Sequence, residues 1–163
     1  MIEVTGAPKN MKLPTPSRYY PLTNPEEIRR KRTLTFSGIF RGPKNPYVGL
    51  DFQINDMLYN EKVVPADDRV KLGTAEEWTI QVLGPHHGGT EGHPFHIHVN
   101  HFEVISVNGV EQPPGTIHDT IWVPEKTAVV IRMKFVEFKG KSVYHCHILP
   151  HEDTGMMQNF LIE

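Results

Sequence analysis

The feature that most constrains the fold is a series of short runs rich in β-branched and aromatic residues, separated by Gly, Pro and Asn. Runs of this kind are typical of β-strands, and their near-regular spacing favours an antiparallel sandwich or barrel. We therefore predict an all-β fold of about eight strands. The runs span residues 32–40, 49–55, 76–84, 95–99, 101–109, 119–124, 127–138, 142–148 and 157–163.

One run alternates well enough to predict which of its side chains are buried. In the run at 127–138, apolar residues recur at every second position, so they share one face of the strand. We expect that face to point into the core. It carries Val129, Ile131, Met133 and Phe135.

The first 31 residues are predicted to form an arm or interdomain linker. Proline and polar residues dominate them, and both disfavour regular structure. A short helix is expected near their end, with Asn24 as the N-cap and Pro25 at the first helical position. No helical pattern follows, so residues 32–163 are predicted to form one β-domain.

Composition excludes several classes of protein. The chain has 163 residues and a formal net charge of −2, which gives no electrostatic basis for binding nucleic acid or an anionic membrane. No apolar run approaches the roughly 18 residues of a membrane span, and the first residues show no export signal. A single cysteine rules out an internal disulfide framework.

That cysteine lies in the segment "VYHCHILPHEDTGMM", residues 143 to 157, between two histidines. Side chains of a strand alternate between its two faces. His145 and His147 therefore share one face, and Cys146 points to the other. One strand thus offers a thiolate on one side and two imidazoles on the opposite side.

The chain after this strand carries two further donors, His151 and Met156. Pro150 forces a turn, and Gly155 permits another. We expect a loop bounded in this way to bring His151 and Met156 back to the Cys146 side.

A second histidine cluster, "HPFHIHVNH", covers residues 93 to 101. His96 and His98 are two positions apart and share a face, whereas His93 lies on the other face in an extended chain. If the two motif strands are neighbours, their faces match. One side then holds His93, Cys146, His151 and Met156, and the other holds His96, His98, His145 and His147.

The first of these sets combines two imidazoles, a thiolate and a thioether, which suits a blue-copper electron-transfer site. A structural zinc site takes four close donors and seldom a thioether. The second set contains only imidazoles and is half of a larger site. Only a few covalent bonds separate the Cys146 sulfur from either flanking imidazole, so the tripeptide is a short electron path between two metal sites.

The motifs "HPFHIH" and "HCHILPHEDTGMM" resemble the two copper signatures of the C-terminal domain of multicopper oxidases, which include laccase-like and cuprous oxidases. The resemblance covers residues from about 32 to 163. It implies a cupredoxin-like Greek-key sandwich or barrel behind an irregular N-terminal arm. It also implies copper as the cofactor, with one type 1 copper per chain and up to four copper ions in a completed oxidase.

The resemblance also implies a role for each donor. Glu152 corresponds to an acidic position that assists proton delivery during dioxygen reduction in bacterial relatives. In the family, a reducing substrate gives single electrons to type 1 copper, and four of them reduce O2 to water at a trinuclear cluster. The implied ligands are His93, Cys146, His151 and axial Met156 for type 1 copper, His96 for type 2 copper, and His98, His145 and His147 for the type 3 pair.

This chain departs from the family in the number of cluster histidines. The family cluster uses eight, in four His-x-His pairs, and this chain contains two such pairs. We therefore expect an N-terminal cupredoxin domain or a second chain to supply the other four, and the chain alone to be inactive in O2 reduction. The alternative is a mononuclear type 1 copper protein for electron transfer or copper binding. The histidines outside both sets are His86, His87, His101 and His118.

Other interpretations explain less of the sequence. A buried strand with incidental histidines does not account for two matching clusters. A cupin-like iron or manganese site would use Glu103 and His118, but it leaves the His-Cys-His segment unexplained. We therefore predict Glu103 on the solvent side of a strand and His118 as a polar group near a turn. The charges at 29–32 and 76–77 are expected to be solvated.

Some expectations concern the surroundings of the site. We expect His86, His87 and His101 at the surface and Met157 in the core. The reducing substrate stays open between phenols, amines and metal ions, because the six methionines are scattered rather than clustered. By resemblance, we expect the periplasm or the cell exterior as the location.

Overall fold

The structure is a computed structural model that describes Gly6 and residues 22–40, 50–83, 92–115 and 117–163. These residues form twelve strands, one α-helix and two 3-10 turns. The turns are Pro25–Glu27 and Ala66–Asp68, and the helix is α1 (Leu149–Asp153). The strands are β1 (Ile28–Phe40), β2 (Leu50–Ile54), β3 (Arg69–Val70), β4 (Thr74–Val82), β5 (His93–Ile97), β6 (Phe102–Val107), β7 (Val110–Glu111), β8 (Ile117–His118), β9 (Thr120–Val123), β10 (Ala128–Phe135), β11 (Gly140–Cys146) and β12 (Met157–Ile162).

Two sheets enclose one apolar core, as the predicted sandwich requires. The larger sheet runs β2-β1-β4-β10-β6-β7, with β8 paired to β6, and the smaller one runs β3-β12-β11-β5-β9. Most neighbours are antiparallel, as predicted. Two pairs are an exception, because β1 lies parallel to β4 and β12 lies parallel to β3. The two motif strands, β5 and β11, are antiparallel neighbours in the smaller sheet.

Each of the nine predicted runs overlaps a strand of the structure. The first strand begins at Ile28 and not at residue 32, because residues 28 to 31 pair with β4 at Ala75 to Glu77. Three two-residue strands, β3, β7 and β8, were not predicted, since two residues carry no alternation. The domain boundary at 31/32 stays a prediction, and most of the expected arm lies outside the described residues.

Of the short helical elements, one was predictable from local sequence signals and one was not. The predicted helix start at Asn24 is confirmed as a 3-10 turn, in which the Glu27 carboxylate accepts a hydrogen bond from the Asn24 amide (2.9 Å). The helix α1 was not predicted. It is a single turn of five residues, too short to give a periodic pattern. No helix in the described part of the chain is long and apolar enough to span a membrane.

The core forms from the alternating faces of the strands. In β10 the predicted face is confirmed, since all four of its residues are at most 1% exposed. Aromatic rings fill the space between the sheets, and Trp78 on β4 meets Tyr144 on β11 edge to face at 5.5 Å between centroids. Tyr144 lies two positions before Cys146 on the same strand. The cysteine side of the motif is therefore continuous with the core.

A buried ion pair corrects part of the expectation that the charges at 29–32 and 76–77 are solvated, whereas Arg29 and Lys31 are exposed as expected. Arg32 and Glu76 are 8% and 3% exposed, and they lie on the adjacent parallel strands β1 and β4. Two guanidinium nitrogens of Arg32 donate to the Glu76 carboxylate, which also accepts from Trp78 Nε1 (2.7 Å). The two charges satisfy each other, so their burial is tolerated.

Glu103 is also buried, contrary to its predicted position on the solvent side. It is 7% exposed, and its carboxylate accepts a hydrogen bond from the Gly115 amide (2.8 Å). The adjacent strand β8 covers it, since Glu103 pairs with Ile117. His118, in the same strand, is half-buried and stacks on Phe102 at 6.2 Å between centroids.

Candidate metal centres

Three buried side chains meet on the core side of β5 and β11 and form what we call the cysteine site: His93, Cys146 and His151. Cys146 Sγ lies 3.4 Å from His93 Nδ1 and 3.7 Å from His151 Nδ1. The two Nδ1 atoms are 3.2 Å apart. One nitrogen from each imidazole and the sulfur therefore converge on a single point, where an ion would contact all three.

Two different strands bring His93 and Cys146 together. His93 begins β5, and Cys146 ends β11 opposite Phe95. The residue before His93 must be glycine, because a Cβ on Gly92 would lie 2.3 Å from the Val123 carbonyl oxygen. This close approach fixes the start of β5 against β9. It thereby fixes the position of the first imidazole.

The segment after β11 returns His151 to this site. His151 lies on α1, and its carbonyl accepts a hydrogen bond from the Met156 amide (2.9 Å). The Met156 carbonyl in turn accepts from the Cys146 amide (3.0 Å). Gly155 makes the turn with φ +122, a conformation that L side chains rarely adopt. The Met156 side chain is fully buried, and its backbone bonds to both Cys146 and His151.

Burial also sets the protonation state of the sulfur. It raises the pKa of the Cys146 thiol to about 12, so the group is a neutral thiol at pH 7 when no metal is bound. A metal ion that binds the thiolate must therefore displace one proton.

Four imidazoles on the other face of the same strands form what we call the histidine site: His96, His98, His145 and His147. His96 pairs directly with His145 across the two strands. His98 Nε2 and His145 Nε2 are 3.1 Å apart. The ring of His147 lies 5.3 Å from the rings of His96 and His145 between centroids. Ring nitrogens of the first three histidines all lie within 4.8 Å of one another.

Hydrogen bonds fix the tautomer of two of these imidazoles. His96 Nδ1 lies 2.9 Å from the Asp119 carbonyl oxygen and 2.9 Å from Thr120 Oγ1. His145 Nδ1 lies 3.0 Å from the Cys146 carbonyl oxygen and 3.1 Å from Glu152 Oε2. Since carbonyl and carboxylate oxygens only accept, Nδ1 carries the proton in both rings. Each ring then turns the lone pair of Nε2 toward the site.

The imidazoles of His98 and His145 are held in the form that binds metals. Burial, and then the neighbouring imidazoles, lower the pKa of His98. Burial also lowers the pKa of His145, although the Glu152 carboxylate opposes this. The contact between His145 and Glu152 is therefore a hydrogen bond from a neutral ring and not an ion pair. Neutral imidazole is the form that donates a lone pair to a metal.

The structure brings six of the predicted donors into two groups, His93 with Cys146 and His151, and His96 with His98 and His145. The four donors of each predicted set lie in the described part of the chain, the cysteine on one face of β11 and the flanking histidines on the other. His101 is exposed, as predicted, and His118 belongs to neither group. Met157 is half-buried rather than in the core, because it pairs with His145 in the sheet. His86 and His87 lie outside the described residues.

Sequence reasoning missed three residues that support the sites. Thr120 and the Asp119 carbonyl orient His96, and Phe52 stacks on His151 at 3.7 Å between ring centroids. The register between β5 and β9 pairs His96 with Thr120. It thereby brings Thr120 and the Asp119 carbonyl into contact with His96. Nothing in a single sequence signals that register, or a contact between residues 52 and 151.

A family model for multicopper oxidases matches residues 21–163, which include both sites. The chain belongs to the multicopper oxidase family. Membership implies copper as the metal, and the donor set fits it, since a thiolate with two imidazoles is the ligand set of blue-copper sites.

Individual relatives agree with this assignment. A laccase from Bacillus stratosphericus is 30% identical over 160 residues, which are 85% of this chain and 29% of that protein. A multicopper oxidase from Staphylococcus haemolyticus is 41% identical over 90 residues, which are 53% of this chain and 20% of that protein. This multicopper oxidase chain therefore spans less than a third of the length of these relatives.

Solved structures show the same fold. The crystal structure of a laccase from Pediococcus acidilactici matches with a TM-score of 0.73 and 32% identity, over 95% of this chain and 31% of that one. A multicopper oxidase from Campylobacter jejuni, described as a metallo-oxidase, matches with a TM-score of 0.65 and 31% identity. That match covers 98% of this chain and 34% of the other. The cupredoxin-like fold predicted from the sequence is thus confirmed.

Proposed function

We propose that this chain is the C-terminal copper domain of a laccase-like multicopper oxidase, completed by another domain or chain. The observation that carries the proposal is the back-to-back arrangement of the two sites. Cys146 belongs to the cysteine site, while its neighbour His145 belongs to the histidine site on the opposite face. Other common metal sites do not place a thiolate ligand and an imidazole cluster on adjacent residues that face opposite sides of a strand.

The donor chemistry supports the assignment of each copper. The cysteine site would hold type 1 copper through His93, Cys146 and His151, with Met156 as a fourth, weak ligand. In the histidine site, His96 would hold type 2 copper. The type 3 ligands would be His98, His145 and His147. When bound, copper would supply one-electron chemistry, so that electrons from a reducing substrate reduce O2 to water.

The protein groups around the histidine site would guide protons and hold ligands. Glu152, whose side chain is 23% exposed, contacts both solvent and His145 Nδ1. A carboxylate in this position can receive a proton from water and pass it toward the site, so we assign Glu152 as the proton relay. Thr120 and the Asp119 carbonyl keep His96 in the tautomer that presents Nε2.

A partner is required because the histidine site is open on one side. His98 and His147 are exposed, and four further histidines would complete a family cluster. Apolar surface lies beside them, since Trp122 is 50% exposed and Val99 is 52% exposed. Trp122 also lies on the same sheet face as His96, two positions from Thr120 on β9. Exposed apolar residues next to unfinished ligand sets are typical of an interface.

The reducing substrate would approach His151, which is 8% exposed, rather than the fully buried His93. A phenol, an amine or a metal ion could each deliver single electrons there. We expect the completed enzyme in the periplasm or outside the cell, as the resemblance implies.

A mononuclear copper electron carrier is the second candidate. The cysteine site favours it, because all of its donors come from this chain and are buried without any partner. An electron carrier would need no second metal site and no partner to bind its copper. The histidine site would then be a remnant.

Copper content and O2 uptake separate the two functions. We expect one copper per isolated chain with no O2 uptake, and four per completed oxidase with O2 uptake in the presence of a phenol. Cys146→Ser in the completed oxidase should abolish uptake, whereas His101→Ala, at an exposed histidine outside both sites, should not. A longer native protein or complex that binds one copper and consumes no O2 would contradict the oxidase assignment.

A further inference from the structure

The aromatic ring of Phe52 lies almost flat on the imidazole of His151. The two planes are 15° apart, and their centroids are separated by 3.7 Å. The imidazoles of His93 and His151 are 5.0 Å apart and tilted by 60°. Of these ring contacts of the cysteine site within the described residues, the stack on Phe52 is the closer one.

Phe52 comes from a part of the chain remote from the copper signatures. It lies on β2 at the edge of the larger sheet, and it is only 6% exposed. Its ring also meets His93 at 70° and 6.3 Å between centroids. A single side chain thus contacts both imidazoles of the cysteine site, one face to face and one at an angle.

The helix that carries His151 depends on such contacts. α1 has five residues, and one helical turn has little stability of its own. Hydrogen bonds hold its backbone, as the His151 amide donates to the Ile148 carbonyl (2.9 Å). Backbone bonds do not set the rotation of the imidazole about its side-chain torsions. A phenyl ring stacked flat on one face of the imidazole restricts that rotation.

We propose that Phe52 is a positioning residue of the cysteine site, which fixes the ring plane of His151 and lowers the reduction potential of copper bound there. The second effect rests on the proposed function, and the first does not. The face of a phenyl ring carries partial negative charge. A ligand on Cu2+ is more positive than the same ligand on Cu+, so the stack stabilises the oxidised ion more.

Phe36 offers a matched control. It is fully buried and also touches the site, but its ring meets His93 at 68° and 5.8 Å between centroids. Phe36→Leu therefore removes a buried phenyl ring of the same size without removing a face-to-face stack. A general loss of packing would affect Phe36→Leu and Phe52→Leu alike.

The first test uses the metal-free chain and measures the proton resonances of the His151 ring by NMR. Protons above a stacked phenyl ring are shifted upfield. We expect Phe52→Leu to move them downfield, and Phe52→Tyr to retain the shift because the ring is kept. Phe36→Leu should leave them in place. An unchanged His151 resonance in Phe52→Leu would overturn the positioning role.

The second test measures the reduction potential of the copper-loaded chain. We expect Phe52→Leu to favour the reduced ion by about two- to tenfold, an upward shift of at most about 59 mV for a one-electron couple. Phe52→Tyr should keep the reduction potential of the wild-type chain, because the stacked ring is retained. An equal rise in Phe36→Leu, or a fall in Phe52→Leu, would overturn the effect on potential.

The two tests separate this inference from the proposed function. If the copper-loaded wild-type chain lacks a thiolate-to-copper band, the type 1 assignment fails. The NMR result in the metal-free chain would still decide whether Phe52 positions His151.

Discussion

The imidazole of His145 donates a hydrogen bond from Nδ1 to the carbonyl oxygen of Cys146, at 3.0 Å. This bond joins the histidine site to the residue that carries the sulfur of the cysteine site. The two sites are therefore linked twice, through the peptide bond and through a hydrogen bond that shortens the path. Their separation onto two faces of one strand keeps the thiol in the core, while His98 and His147 of the histidine site are exposed.

Replacement of Met156 tests its place as axial ligand. Met156→Leu should raise the reduction potential of bound copper, because a weak donor to the oxidised ion is removed while the site stays apolar. Cyclic voltammetry of the copper-loaded chain measures the shift. A fall in potential would exclude Met156 as a ligand, and Met157→Leu, at the half-buried neighbour, should change nothing.

Loss of the Glu152 charge should lower the pKa of His145. The carboxylate raises this pKa at present, and Gln keeps an acceptor oxygen without the charge. NMR titration of the metal-free Glu152→Gln chain measures the change, with Asp153→Asn as the control at an exposed position on the same helix. In the completed oxidase, we expect O2 reduction to slow by about 10²-fold or more, as for loss of a proton-transfer group. An unaltered rate would remove Glu152 as the relay.

Metal binding at the cysteine site should release a proton at pH 7. The Cys146 pKa of about 12 means that the thiol is protonated below that pH, so affinity should rise with pH, by about tenfold per pH unit near neutrality. Calorimetric titration with Co2+, in buffers of different ionisation enthalpy, counts the protons. The Cys146→Ser variant should release no proton when the metal binds. An equal proton release in that variant would show that the proton does not come from the Cys146 thiol.

The buried ion pair in the core should contribute far more to stability than a surface pair. Glu76→Gln removes the carboxylate that Arg32 contacts through two nitrogens and leaves only Asp68, at 3.6 Å, to offset the buried charge. It should lower the free energy of unfolding by about 2 kcal/mol or more. Glu163→Gln breaks the half-exposed pair with Arg69 and should cost no more than about 1 kcal/mol. Urea unfolding at pH 7 measures both. Similar losses in the two variants would contradict the role of burial.

The split of donors between two faces was predictable because it depends on local geometry alone. Alternation along β5 and β11 places Cys146 opposite His145 and His147 whatever the rest of the chain does. The pairing of the two strands was an assumption, and the register of His96 with His145 confirms it. The strands themselves followed from composition and spacing.

What could not be predicted depends on contacts between distant segments. The stack of Phe52 on His151 joins residues from β2 and α1, and no pattern in either segment announces it. The burial of Arg32 and Glu76 follows from the parallel pairing of β1 with β4, whereas charged residues in sequence are most simply taken as solvated. Tertiary pairing overrides such local preferences.

The visible spectrum of the chain loaded with Cu2+ tests the central claim most directly. We predict an intense blue band from a bond between copper and the Cys146 thiolate, absent in Cys146→Ser and retained in His101→Ala. A band of equal intensity in Cys146→Ser, or a wild-type chain that binds copper without colour, would contradict it.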